Sequence, residues 1–175
     1  VMGRSETRSQ VAYVLEQAAS LEQQLRAELQ QAGLDLLGIQ PQVIVLTRLI
    51  PNCTETQCSL PFEQIDGTEN AWILRVPFQE FNPHVTQHWI SKFEIWPYLE
   101  SFANDAEPAL LAHLGGRPNL IIGHYSDGNL VASILARRFR AIQCNIAHSL
   151  EKPKYLFGDL YWQDMEAQYH FSAQF

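Results

Sequence analysis

Val11, Val14, Leu15, Ala18, Leu21, Leu25 and Leu29 recur at three- and four-residue spacing, which predicts one apolar stripe on a helix closed by Gly33. After a connection punctuated by Gly, Asp and Pro, Val43-Ile44-Val45-Leu46 forms a short β-branched run between Pro41 and the polar pair Thr47-Arg48, the pattern of a buried parallel strand. Ile73-Leu74-Arg75-Val76, stopped by Pro77, predicts a second strand. Residues 51–70 between them carry Pro51, Asn52, Pro61 and Gly67 without a sustained period, and read as an irregular excursion with room for a small hairpin. From His84 to Leu114 the pattern is helical but interrupted. Pro97 and Pro108 do not suit a helix interior and are expected to open new helical segments at their first turns, the last ending at Gly115-Gly116.

The rhythm then tightens. Leu120-Ile121-Ile122 predicts a strand, Ser126 or Asp127 is expected to cap a helix running through Ala136, and Ile142-Gln143-Cys144-Asn145-Ile146 predicts another strand. Strand, helix, strand is a βαβ unit, so the fold class is α/β: a Rossmann-like parallel sheet with helices on both faces. Ligands of such sheets sit in loops past the carboxyl ends of the strands, here Gly123–Gly128 and Ala147–Gly158. The sequence opens on a helix and stops in the apolar Tyr169-His170-Phe171-Ser172-Ala173-Gln174-Phe175, so the expectation is part of a larger α/β layer.

Composition narrows the function. With 175 residues, 46% hydrophobic and 18% charged, the chain is the size and make-up of one globular domain. Twelve Lys and Arg against 19 Asp and Glu give a formal charge of −7, which repels polyphosphate backbones, so a nucleic-acid partner is not expected. Apolar runs such as Leu120–Gly123 are far shorter than the ~20 residues of a bilayer helix, and a cytoplasmic protein without membrane contact is the expectation. Cys53, Cys58 and Cys144 are an odd number in apolar or turn contexts, which favours reduced thiols over a disulfide framework.

Three places carry candidate chemistry. Ala147–Tyr155 follows a strand and holds His148, Glu151, Lys152, Lys154 and Tyr155; the imidazole suits hydrogen-bond or proton donation to a hydroxyl-rich ligand, and the lysines suit phosphate. Gly123–Asn129 brings a strand to a helix N-terminus, an anion-attracting position that Asp127 works against. Gly3 to Gln10, leading into the first helix, offers amides to a phosphate or sugar hydroxyl. His84 and His88 have helical ligand spacing but no glutamate between them, and Cys53-x4-Cys58 lacks a second pair, so no metal is expected. Trp89, Phe93, Trp96, Tyr98 and Phe102 span helical turns and read as core.

The strings Thr47-Arg48-Leu49-Ile50-Pro51, Ile73-Leu74-Arg75-Val76-Pro77-Phe78, Phe93-Glu94-Ile95-Trp96-Pro97-Tyr98-Leu99-Glu100, Tyr125-Ser126-Asp127-Gly128-Asn129-Leu130-Val131-Ala132, His148-Ser149-Leu150-Glu151-Lys152-Pro153-Lys154-Tyr155 and Tyr169-His170-Phe171-Ser172 occur together and in order. In that combination the chain resembles sucrose synthase along nearly its whole length. The resemblance implies a retaining glycosyltransferase of the two-Rossmann-domain (GT-B) type that interconverts sucrose plus UDP or ADP with fructose plus UDP-glucose or ADP-glucose, without metal or cofactor. Residues 1–175 would then be part of the acceptor-side, fructose-binding Rossmann domain. It further implies that His148 is the active-site histidine, that Lys154, Tyr155, Arg75 and Gln10 contact substrate, that Thr7, Arg8 and Ser9 belong to the nucleotide-sugar loop, and that the complete enzyme is a homo-oligomer.

One departure stands out. The family loop reads Pro-Asp-Thr-Gly-Gly-Gln, whereas this chain has Ser5-Glu6-Thr7-Arg8-Ser9-Gln10 and so lacks both glycines that admit diphosphate and glucose to the backbone. The alternative expectation is therefore a non-catalytic fragment or regulatory partner of an intact sucrose synthase.

Overall fold

The computed structural model describes residues 3–53, 57–78, 86–88 and 95–148, and of residues 3–9 the backbone alone. The chain divides into two compact units, residues 1–76 and 77–175.

The first unit opens with helix α1, Gly3–Gln31. Gly33 stops it at a φ of 67°, with its N–H bonded to the Gln30 carbonyl and the Leu34 N–H reaching back to Leu29. That paired closure needs a left-handed residue, which is why glycine stands there. The helix packs against β1 (Val43–Leu49), and Ala18 joins Ile65 and Ala71 in a small core flanked by Leu15, Val43, Val45 and Ile73. The predicted stripe is narrower than its spacing suggests: Val11 is 52% and Leu25 40% exposed, whereas Glu22 is 1% exposed. The reason is pairing. Glu22 accepts the Asn70 N–H at 3.3 Å and forms an ion pair with Arg26 one turn on, and Arg26 also reaches Glu69. A buried carboxylate is tolerable only when so satisfied.

Within the irregular stretch of residues 51–70 only strand β2 (Phe62–Gln64) forms among the described residues, and its hairpin partner is the predicted second strand, β3 (Ala71–Pro77). They pair antiparallel with Phe62 opposite Leu74 and Gln64 opposite Trp72, and the sheet order is β1-β3-β2. The Thr68 hydroxyl donates to Ile65 and the Gln64 amide to Thr68 and Glu69, closing the turn around Asp66-Gly67. Arg75, 8% exposed, pairs with Glu63 at 2.7 Å and donates to the Leu60 carbonyl at 3.0 Å. Removing the charge of Glu63 strands a buried guanidinium, so Glu63→Gln is expected to destabilise the protein by about 1–2 kcal/mol in urea unfolding, with no such loss for Glu69→Gln at the exposed pair.

In the second unit Pro97 lies in a 3-10 turn, Trp96–Tyr98, that feeds helix α2 (Leu99–Leu114) as predicted. Pro108 departs from expectation: it sits inside α2 rather than opening a new helix. An interior proline forfeits one helical hydrogen bond at roughly 3 kcal/mol. Burial of Phe102, Ala103, Ala106 and Leu110 on either side of it offsets that cost. Of the predicted aromatic core, Trp96 and Phe102 are buried and Phe78 packs against both Tyr98 and Phe102, while Trp89 and Phe93 lie outside the described residues.

Strand β4 (Leu120–His124), helix α3 (Tyr125–Phe139) and strand β5 (Ile142–Ile146) make the predicted βαβ unit. The strands are parallel, with Leu120 opposite Ile142 and His124 opposite Ile146. Helix α3 packs on both strands and on α2, burying Leu130, Val131, Leu135, Ala136 and Phe139. The fold class is α/β, as the sequence pattern implies. Among the described residues no helix is long and apolar enough to cross a membrane.

Candidate active site

The carboxyl ends of β4 and β5 lie side by side in register, and α3 begins immediately beyond β4. Two constraints hold this corner. A Cβ on Gly123 would fall 2.4 Å from Asn129 Oδ1 and 2.8 Å from both Asn129 Cα and Ala132 Cβ, so only glycine lets α3 lie this close to β4. Tyr125 then turns the chain with a φ of 61°, a left-handed conformation that an aromatic residue adopts at a cost of order 1 kcal/mol. Strain of this kind concentrates where a fold serves a ligand.

Neither Ser126 nor Asp127 is the N-cap of α3, since both lie inside a helix that already starts at Tyr125. His124 is the N-cap, with extended backbone and no capping side-chain bond. Asp127 instead accepts the Trp96 indole N–H and, at 3.3 Å, the Ser126 hydroxyl, so both predicted caps are drawn into a network tying α3 to the turn before α2. The Asn129 amide N–H reaches the Ile146 carbonyl at 3.5 Å, a weak tether between α3 and the end of β5.

His148 stands two residues beyond β5, exposed and left-handed at a φ of 55°. Its Nε2 lies 3.0 Å from Nδ1 of His124, the last residue of β4, with ring centroids 5.3 Å apart. Burial, reinforced by electrostatic repulsion from the neighbouring His148, holds the His124 imidazole below the usual histidine range. His124 is therefore neutral at pH 7. Because the unfolded chain takes this proton more readily than the folded one, the contribution of His124 to stability is full above a pH of about 6.5 and is lost as pH falls below it. The melting temperature is thus expected to fall on acidification from pH 7.5 to 5.5, and to fall less in His124→Asn.

The sequence pointed to His148 through its place after a strand. It did not reveal His124 as its partner, although both lie where adjacent parallel strands end, and that coincidence was the available signal. The Trp96–Asp127 bond joins residues 31 apart and leaves no trace in local pattern. Lys154 and Tyr155 lie outside the described residues. Arg75 and Gln10 belong to the first unit, Arg75 held by Glu63 and Gln10 half-buried on α1. The segment expected as a nucleotide-sugar loop is helical, since α1 already starts at Gly3 and carries Thr7, Arg8, Ser9 and Gln10. With arginine and serine in place of two glycines, no residue there opposes the helix, and the amides of 7–10 are spent on intrahelical bonds. Among the described residues no group of three or more His, Cys, Asp and Glu side chains is placed to hold a metal ion, and His84 lies outside them.

A family model described as the sucrose synthase first GT-B domain matches residues 1–175. The chain belongs to the sucrose synthase family. Sucrose synthase of Thermosynechococcus vestitus is 64% identical over all 175 residues, and that of Melioribacter roseus 58%. Sucrose synthase 2 of Arabidopsis thaliana is 49% identical, again over the whole chain. The chain spans 22% of the length of the two bacterial sucrose synthases and 21% of the plant one, so it corresponds to one part of those enzymes. As a member of that family, it carries the His124–His148 pair at the carboxyl ends of two parallel strands.

Proposed function

We propose that the protein carrying this domain is a hexosyltransferase that transfers glucose reversibly between sucrose and UDP or ADP, and that residues 1–175 supply part of its fructose-side Rossmann domain. The observation that carries the reading is an exposed histidine at the carboxyl ends of two parallel strands, in a chain whose relatives bear the name sucrose synthase along its entire length. In the cleavage direction the bond from glucosyl C1 to the fructosyl oxygen breaks and a bond from C1 to the terminal phosphate oxygen forms. The proton of that phosphate ends on fructose. His148 acts by donating a hydrogen bond to a hydroxyl of the transferred glucose, orienting it and stabilising the cationic sugar in the transition state rather than attacking it. By the family resemblance Lys154 and Tyr155 contact fructose, and Gln10 and Arg75 are further substrate contacts of the complete enzyme. The reaction requires no metal or cofactor, and the enzyme works as a homo-oligomer in the cytoplasm, with no nucleic-acid partner.

The test is to supply the complete protein with sucrose and either UDP or ADP and quantify products. Fructose and nucleotide-glucose appearing in equal amounts supports the reading, and intact sucrose beside folded protein overturns it. The helix through Arg8 and Ser9 favours a second reading, a non-catalytic regulatory partner of an intact sucrose synthase. That reading predicts no turnover by this protein alone and altered turnover when it is mixed with an active homologue.

A further inference from the structure

We propose that His124 is a positioning residue for His148: the contact between their ring nitrogens fixes which way the exposed imidazole faces and which of its nitrogens carries the proton. The assignment of His148 to the sugar site rests on the function proposed above, whereas the coupling of the two rings rests on geometry alone.

His148 follows a strand end with left-handed backbone and an exposed side chain, conditions under which an imidazole samples several rotamers and both tautomers. His124 is placed differently. It is the terminal residue of β4, paired in register with Ile146, half-buried, and followed directly by the constrained start of α3. The half-buried ring holds the exposed one. At 3.0 Å between Nδ1 of His124 and Nε2 of His148, one nitrogen donates and the other offers a lone pair, so at least one ring of the pair is neutral while the contact lasts. The ring centroids lie 5.3 Å apart at a tilt of 32°, which is not a stacked arrangement, so the nitrogen contact is what couples the rings. A hydrogen bond to one imidazole nitrogen determines the tautomer and hence what the other nitrogen presents. By this route His124 shapes recognition without touching the sugar.

The experiment uses the complete protein and two variants. His124→Ala removes the partner nitrogen, and His124→Asn restores an amide near the position of Nδ1. In the first arm, carbethoxylation of His148 by diethyl pyrocarbonate at pH 7.5 is followed by peptide mass spectrometry, which needs no turnover. His148 is expected to react about threefold faster or more in His124→Ala and close to the wild-type rate in His124→Asn. In the second arm, sucrose cleavage is expected to show a kcat about 10- to 100-fold lower in His124→Ala, with KM for the nucleotide unchanged and most of the rate recovered in His124→Asn. Identical His148 reactivity in wild type and His124→Ala overturns the proposal. So does a kcat loss that is equal in both variants and accompanied by a lowered melting temperature, which marks a purely structural role. If the wild-type protein leaves sucrose intact, the function reading fails, and the first arm still decides whether the two rings are coupled.

Discussion

His148→Ala in the complete protein is expected to lower kcat for sucrose cleavage about 10²–10³-fold while leaving nucleotide affinity within about twofold. The asymmetry is the informative part. A hydrogen bond aimed at the transferred sugar is strongest when that sugar carries charge, so its loss falls on the transition state and hence on kcat. On the proposed reading the imidazole faces the transferred sugar rather than the nucleotide phosphates, so its loss is expected to leave that affinity nearly intact. The variant should fold normally, because His148 is exposed and lies beyond the end of β5. A kcat equal to wild type removes His148 from the mechanism. A parallel loss of nucleotide binding assigns it to the phosphate instead. Steady-state kinetics with isothermal titration of UDP or ADP separates these outcomes.

The second large effect is structural. Gly123→Val places a branched side chain where a single Cβ already meets Asn129 Oδ1 at 2.4 Å and Ala132 Cβ at 2.8 Å. Relief requires α3 to move off β4, exposing the face buried by Leu130, Val131 and Leu135. Overpacking of this severity costs about 3 kcal/mol or more. The expected result is a marked drop in the melting temperature or loss of soluble protein, together with loss of the site that the same corner supports. Gly116→Ala is the matched control: a Cβ there meets nothing within 4 Å, and stability should stay within about 0.5 kcal/mol of wild type. A Gly123→Val protein with unchanged melting contradicts the close approach of helix and strand.

Local pattern made the βαβ unit readable because each piece announces itself. Leu120–Ile122 is a short apolar run, Ile142–Ile146 alternates apolar with polar residues, and Gly33 is the kind of residue that a left-handed helix closure demands. Pairings between distant residues were not readable. Glu22 stands among polar neighbours on α1, and only Asn70, Arg26 and Glu69 explain why it is buried. Pro108 misled because proline propensity is local, while burial of Phe102, Ala106 and Leu110 is a tertiary term that overrides it. Asp127 misled for the same reason: its carboxylate accepts the indole N–H of the distant Trp96, and the N-cap position falls to His124. His148 was accessible to sequence reasoning through the rule that ligands gather past parallel strands, whereas His124 needed the register of β4 against β5. Arg8 and Ser9 were legible as a departure from the family wording, but their helical backbone emerges only when the whole of Gly3–Gln31 is seen as one helix.

The most direct measurement is a crystal structure of the complete protein with fructose and nucleotide-glucose bound. The account predicts the glucosyl ring at the carboxyl ends of β4 and β5, with a hydroxyl within hydrogen-bond reach of His148, about 2.6–3.2 Å. Sugar bound away from those strand ends, with His148 in contact with no part of it, contradicts the account.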